Sequence, residues 1–256
     1  MEAQNKFILK RILPKRIKDP GFLKTFEAES TMQDLFDLPE EYDQMLQKGI
    51  SATGNDKNFF ILGRLDHVVK HSPELQQVQT ILDYGCGTGQ SSFDLAIRFP
   101  DCRVLGSDLS EKAILYAQKQ FQRPNLSFVP IREIPETTFD LIYLNGVIHH
   151  VPLNERHEVM RHLFRLSHTG TQIWIFENNP LNPGTQWAMY TNPFDKGVVK
   201  IQHWQLETLI KSAGYLVQRT DFLFYFPQWL SWFRPLEKWL MKIPLGGQYG
   251  VFARKP

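Results

Sequence analysis

Three glycines spaced two apart, Gly85, Gly87 and Gly89, follow the apolar run Ile81-Leu82-Asp83-Tyr84 and precede a helical pattern. Glycine lets a chain turn sharply out of a strand and leaves backbone with no Cβ in the way of a ligand. A strand, turn and helix of this kind belong to an open α/β sheet, in which ligands bind beyond the carboxyl ends of the strands. The next apolar run ends in an acid, Asp108, 19 residues past Gly89, placed to accept hydrogen bonds from ribose hydroxyls. The ligand expected here is therefore a nucleoside. The dinucleotide pattern G-x-G-x-x-G would need a glycine where the chain has Gln90, which points away from a pyrophosphate. Asp83 agrees, since a carboxylate suits the ammonium of an amino acid better than a phosphate.

The rest of the chain repeats the same alternation. Short apolar runs predict strands at 80–84, 103–107, 126–129, 139–144, 171–176 and 215–220, with helical patterns between them, the signature of a parallel sheet. Ser110 is placed to cap a helix whose Ala113, Ile114, Ala117 and Phe121 share a side, and Gly170 and Gly214 are read as helix C-terminal residues. Eight aromatics fall within Phe222 to Trp239, broken by Pro227 and Pro235, before a last apolar run, Tyr249 to Ala253. The expected fold is α/β, a Rossmann-like sheet with helices on both faces, a helical N-terminal cap, and an aromatic insertion at about 222–245 before the last strand. Residues 1–58 are read as a basic arm and helical cap, and 59–256 as the ligand-binding domain.

Charge and cysteine content narrow the chemistry. Lys plus Arg number 29 against 27 acids, a net charge of +2 that gives no footprint for nucleic acid. The two cysteines, Cys86 and Cys102, form no CxxC pair, so neither a disulfide scaffold nor a cysteine-built zinc site is expected. The first 18 residues carry six cations interleaved with apolar residues, suited to an anionic surface or a solvated arm, and Glu27 to Asp43 hold seven acids with no Lys or Arg. No run of 18 apolar residues occurs and the N-terminus lacks a secretory pattern, so a cytoplasmic location is expected.

Three segments together resemble the class I S-adenosylmethionine-dependent methyltransferase superfamily. They are Asp83-Tyr84-Gly85-Cys86-Gly87-Thr88-Gly89, Gly106-Ser107-Asp108-Leu109-Ser110, and Phe139-Asp140-Leu141-Ile142-Tyr143-Leu144-Asn145 continuing through Gly146-Val147-Ile148-His149-His150. The resemblance implies S-adenosyl-L-methionine as cofactor and a methyltransferase sheet. It also implies Asp83, Gly85, Gly87, Gly89, Asp108, Leu109, Ile131 and Asn145 as cofactor-binding residues. One position departs from the pattern: many relatives carry an acid for the adenine amino group where this chain has Pro130. Adenine is then expected to rest on apolar contact and the backbone N–H of Ile131, with Glu133 as a substitute acid. The stretches Phe176 to Pro183 and Ile243 to Tyr249 are similar to a bacterial branch linked with glycan or lipid-type acceptors.

Methyl transfer from a sulfonium needs alignment and exclusion of water, with a base only where the acceptor loses a proton, and no metal. His149 and His150 follow the fourth strand and Glu177 the fifth, so they are placed to face an acceptor. His150 is the expected base, imidazole being the side chain that ordinarily titrates near neutral pH. Glu177 is expected to polarise an acceptor hydroxyl, to fix His150, or to serve as a structural cap. His157 and His162 are five apart, not the four that puts two imidazoles on one helix face, and are read as surface residues. Tyr42 is a candidate lid residue. The stripe Trp229, Trp232, Phe233, Leu236 and Trp239 is either buried, or it forms an acceptor channel or a peripheral contact at the inner face of a membrane. The partner expected is a small-molecule, glycan or lipid-linked acceptor methylated at oxygen. Alternatives are a tRNA or protein methyltransferase, which predicts a basic face or an Asn/Asp-Pro-Pro-Tyr-type motif where Asn145-Gly146-Val147-Ile148 stands, and a non-catalytic sensor or scaffold.

Overall fold

The computed structural model describes residues 53–191 and 197–256. The basic arm, the acidic cap and Tyr42 lie outside the described residues. Seven strands form one sheet: β1 (Thr80–Tyr84), β2 (Arg103–Asp108), β3 (Leu126–Pro130), β4 (Phe139–Asn145), β5 (Ser167–Asn178), β6 (Leu216–Leu223) and β7 (Gln248–Arg254). Their order is β3-β2-β1-β4-β5-β7-β6, with β7 antiparallel to both neighbours and the other pairs parallel. The order reverses at β1 and β4, which makes the crevice above their carboxyl ends the switch point where such sheets bind ligands.

Helices α1 (Lys57–His71), α2 (Gln90–Arg98), α3 (Glu111–Gln120), α4 (Arg156–Arg165), α5 (Pro183–Thr191), α6 (His203–Ser212) and the short α7 (Glu237–Leu240) complete the described chain. Buried residues of α1 and α2, among them Ile61, Leu65, Val68, Leu95 and Ala96, cluster with Trp174 and Phe176 of β5. Met160 and Leu163 of α4 and Leu206, Leu209 and Ile210 of α6 cluster instead with Ile142, Ile173 and Val251. Alternate residues of β4 and β5 thus feed two cores, as strands covered on both faces must. Asp56 caps α1 by accepting from the Phe59 N–H at 2.8 Å, and Ser110 caps α3 by accepting from Ala113 at 3.2 Å.

Two local expectations are corrected. Gly214, at φ 103°, does follow a helix end, but Gly170 does not: α4 stops at Arg165 and β5 begins at Ser167. Gly170, at φ 93°, lies where the β4–β5 register jumps from Phe139↔Ser167 to Leu141↔Gln172. The unmatched residues bulge, and glycine supplies the left-handed backbone. The second correction concerns the aromatic stripe, which is not buried: Trp229, Trp232 and Trp239 are 71%, 73% and 67% exposed. Gln228–Leu236 is 3₁₀ with a non-helical break at Leu230, and Pro235 lies inside it, so no single helical face forms to bury the rings.

Candidate functional site

The glycine turn leaves β1 with Gly85 at φ 78°, Gly87 at 53° and Gly89 at 88°. A Cβ on Gly85 would stand 2.4 Å from Val147 Cγ2, so the turn and the loop after β4 approach too closely for any side chain there. The Gly85 and Cys86 N–H groups donate to the Ser107 carbonyl at 2.7 and 3.0 Å, tying the turn to β2. Asp108, at the end of β2, accepts from the Gly87 N–H at 2.8 Å and from the Ser110 N–H at 2.9 Å. Each oxygen keeps acceptor capacity for a further donor. Burial pushes the Asp108 carboxyl above its usual range, opposed by the backbone donors from Ser110 and Gly87.

Asp83 is 1% exposed and accepts from Ser92 Oγ at 2.6 Å. Burial pushes its carboxyl up to about 7, the Ser92 bond pulls it down, and the nearby Asp108 charge adds to the rise. The countercharge is Arg64 on α1, a residue the sequence reading did not single out. It is buried, and donates from Nε to the Tyr143 hydroxyl (3.2 Å) and from Nη1 to Gln248 Oε1 (2.8 Å). Gln248 in turn donates to Asn178 Oδ1 at 3.1 Å. A signal was present: Arg64 shares the spacing of Ile61, Leu65 and Val68, the buried face of α1.

The loop after β4 is gripped from two sides. Glu177, 1% exposed, accepts from the Ile148 N–H at 2.7 Å through Oε1 and is paired through Oε2 with His149 Nδ1. The buried Arg156 donates to the Val151 carbonyl at 3.0 Å and to the Val199 carbonyl at 2.5 Å. Glu177 therefore holds His149 and not His150, which corrects the pairing expected from the sequence. The His150 ring lies against His149, centroids 4.1 Å apart.

A cavity of about 530 Å³ opens above these elements. Of the sequence-derived residues, Asp83, Gly85, Gly87, Asn145 and His150 line it, and so do Arg64 and His149. Gly89, Asp108, Leu109, Ile131 and Glu177 are not in its lining. Asp108 pairs in register with Pro130 across β2 and β3, Leu109 is exposed, and Ile131 packs on the main core. Glu133 is exposed and ion-paired with Arg132. The same lining is rich in aromatics: Phe59 and Phe60 of α1, Trp187 of α5, and Phe224, Phe226 and Trp229 after β6. Phe224 adopts φ 63°, unfavourable for a bulky residue, and its ring fills the space that Gly63 leaves open, where a Cβ would meet it at 2.7 Å.

The donor set fits S-adenosylmethionine. Asp83 and Arg64 offer opposite charges for the ammonium and carboxylate of an amino acid, the glycine turn offers bare backbone, and Asp108 has acceptor capacity for ribose hydroxyls. Among the described residues no group of three His, Cys, Asp or Glu is arranged to hold a metal.

Comparisons with known proteins agree on the fold. Residues 81–170 match the family described as a methyltransferase domain. Trans-aconitate 2-methyltransferase of Deinococcus radiodurans is 41% identical over 86 residues, 33% of this chain and 32% of that protein, so the match spans about a third of the relative. Methyltransferase phqN of Penicillium fellutanum is 24% identical over 83% of this chain and 69% of its own length. A crystal structure of a SAM-dependent methyltransferase from Archaeoglobus fulgidus superposes with a TM-score of 0.60 at 15% identity, over 80% of this chain and 97% of that one.

Proposed function

We propose that the chain is a class I S-adenosylmethionine-dependent methyltransferase and that it methylates a small-molecule acceptor, glycan or lipid-linked, at oxygen; the methyltransferase-domain match over residues 81–170 and the shared sheet support this reading. The observation that carries this reading is the single cavity edge on which Asp83, Arg64 and the glycine turn meet the His149–His150 wall. When bound, S-adenosyl-L-methionine supplies a methyl group already activated on a sulfonium. Asp83 and Arg64 hold its amino-acid end, Asp108 its ribose, and Leu109 with the Ile131 backbone its base, while Asn145 borders the methionine side.

The chain's own work is alignment and a proton. His150, the more exposed histidine of the cavity wall, takes the hydroxyl proton of the acceptor as its oxygen becomes methylated. Glu177 and His149 are positioning residues that hold the loop and the ring behind His150. The aromatic wall excludes water and receives the apolar face of the acceptor, while Asn145, Asn178 and Asn182 border the same space with amides. An amphipathic acceptor such as a sugar carried on a lipid suits both kinds of lining and would bring the protein to the inner face of a membrane.

Calorimetry with S-adenosylhomocysteine tests the donor half, and transfer of labelled methyl to a panel of glycans and lipid-linked sugars tests the acceptor half. His150→Ala should lower the rate by about 10² to 10⁴ with cofactor affinity intact. Equal turnover of variant and wild type at saturating acceptor removes His150 from the reaction.

A further inference from the structure

The segment between β6 and β7 is built inside out. Its polar groups turn inward: Glu237 Oε1 accepts from the Tyr225 and Phe226 N–H groups at 3.1 and 3.0 Å, and the Tyr225 hydroxyl donates to the Leu240 carbonyl. Lys242 reaches Asp221 Oδ1 at 2.7 Å and the Thr220 carbonyl at 2.9 Å, and Asn179 binds the Pro244 and Gly246 carbonyls. Its large apolar side chains turn outward instead. Trp229, Trp232 and Trp239 are each about two-thirds or more exposed, and Leu236, Ile243 and Leu245 are exposed beside them in sequence. An ordinary surface loop presents the opposite arrangement, and a contiguous exposed apolar patch marks a contact surface.

We propose that this aromatic platform is the seat of an anionic lipid bilayer, with the cavity mouth opening onto the headgroup layer. The proposal rests on the methyl-transfer reading above, for which it names the surface that delivers the acceptor. Three observations select lipid over a protein partner. First, the outward rings are chiefly tryptophans, whose amphipathic indoles favour the headgroup region over either bulk phase. Second, residues 228–245 hold three cations and one acid, Glu237, whose carboxylate is spent on inward backbone bonds; Arg234 and Lys242 turn inward to Asn55 and Asp221, which leaves Lys238 as the outward charge of the segment. The Lys238 ammonium lies 4.2 Å from the Trp239 ring centroid, so charge and indole stand together at the surface. Third, Trp229 belongs both to the platform and to the cavity lining, and Trp187, exposed on α5, lines the same cavity. The platform and the histidines thereby border one cavity, so an acceptor held there can keep its lipid tail in the bilayer. Among the described residues no helix is long and apolar enough to cross a membrane, so the contact proposed is peripheral.

The test uses the full chain with vesicles of phosphatidylcholine alone and of phosphatidylcholine with about a third phosphatidylglycerol. Co-sedimentation should favour the anionic vesicles by about fivefold, the attraction of the one outward cation Lys238, and should fall as salt rises. The double variant Trp232→Ser/Trp239→Ser, which spares the cavity-lining Trp229, should lose most vesicle binding while retaining S-adenosylhomocysteine affinity by calorimetry, because these two rings are exposed and lie outside the cavity. Absence of binding at low salt overturns the proposal, as does binding that survives the double variant undiminished. Self-association that the same variant abolishes, with no vesicle binding, assigns the platform to a second copy and also overturns it. Loss of cofactor binding by the wild type would fail the methyl-transfer reading separately, since calorimetry contains no lipid.

Discussion

The loop carrying His149 and His150 is held on one side by a buried carboxylate, Glu177, and the consequences of disturbing it follow from the geometry. In Glu177→Ala the Ile148 N–H and His149 Nδ1 both lose their partner inside the protein. An unsatisfied buried group costs about 1 to 3 kcal/mol, so the two together cost roughly 2 to 6 kcal/mol. Against a total of about 5 to 15 kcal/mol for a typical domain, that loss approaches unfolding. Glu177→Gln is the more informative variant. Its amide oxygen can still accept from Ile148, but its NH₂ cannot accept the Nδ1 proton. His149 must then carry its proton on Nε2 to restore a bond, and the loss falls to about 1 to 2 kcal/mol, one charge-assisted hydrogen bond replaced by a neutral one.

Denaturant titration of both variants measures the two losses, and nitrogen-15 NMR of labelled histidine reads the tautomer. In Glu177→Gln, kcat should fall while cofactor affinity and acceptor KM change little, a split that a merely destabilised loop would not produce. Two results would refute the reasoning: Glu177→Ala within about 0.5 kcal/mol of wild type, or an Nδ1-protonated His149 persisting in Glu177→Gln.

Asp108→Ala should weaken cofactor binding by about 1.5 to 3 kcal/mol in calorimetry, the range for hydrogen bonds to a charged group. Unchanged affinity in a folded variant would remove Asp108 from the ribose site. Asp83 gives a pH prediction: its carboxyl is raised in the fold to about 7, so the folded protein keeps a proton that the unfolded chain releases near 4. The contribution to stability is whole below about 4 and fades as pH rises toward 7, by an amount of order 4 kcal/mol at about 1.4 kcal/mol per pH unit. Cofactor-free Asp83→Asn should show a flatter stability profile over that window, and wild type should bind cofactor more tightly as pH rises through 7. Identical profiles for variant and wild type would contradict the burial argument.

The donor half of the site was legible in the sequence because it is local. Strand, glycine turn, helix and the acid at the end of the next strand are short-range patterns, and each spacing carries its own geometry. The acceptor half was harder to read because it assembles from α1, α5 and the segment after β6, which share no sequence window. Arg64 was not singled out because its partners, Tyr143 and Gln248, come from strands far along the chain. His149 and His150 are adjacent in sequence, and only the direction of the 3₁₀ turn Ile148–His150 decides which meets Glu177. Gly170 misled because a left-handed glycine serves a helix end and a strand bulge equally well.

How that dispersed acceptor wall keeps its shape is answered by Asp221, which is fully buried on β6. Its carboxylate meets His67 of α1 at 2.9 Å, Arg219 of its own strand and Lys242 of the aromatic segment. Burial alone would raise this carboxyl, but the hydrogen bonds from His67, Arg219 and Lys242 outweigh it and hold it far below the usual carboxylate range. A depressed acid of this kind contributes stability above about pH 4 and loses it only in strong acid, so the Asp221 carboxylate stays ionised near neutral pH. Buried ion clusters are a poor source of net stability, because desolvation offsets most of the attraction. What this one supplies is position: it ties Lys242, at the far end of the aromatic segment, to the helix that carries Arg64, Phe59 and Phe60. Phe224, on the same segment, makes a second and separate contact with α1, packing beside Gly63 against Phe59 and Phe60. The charged hub therefore fastens the aromatic segment to α1, two elements that contribute to the lining of the same cavity.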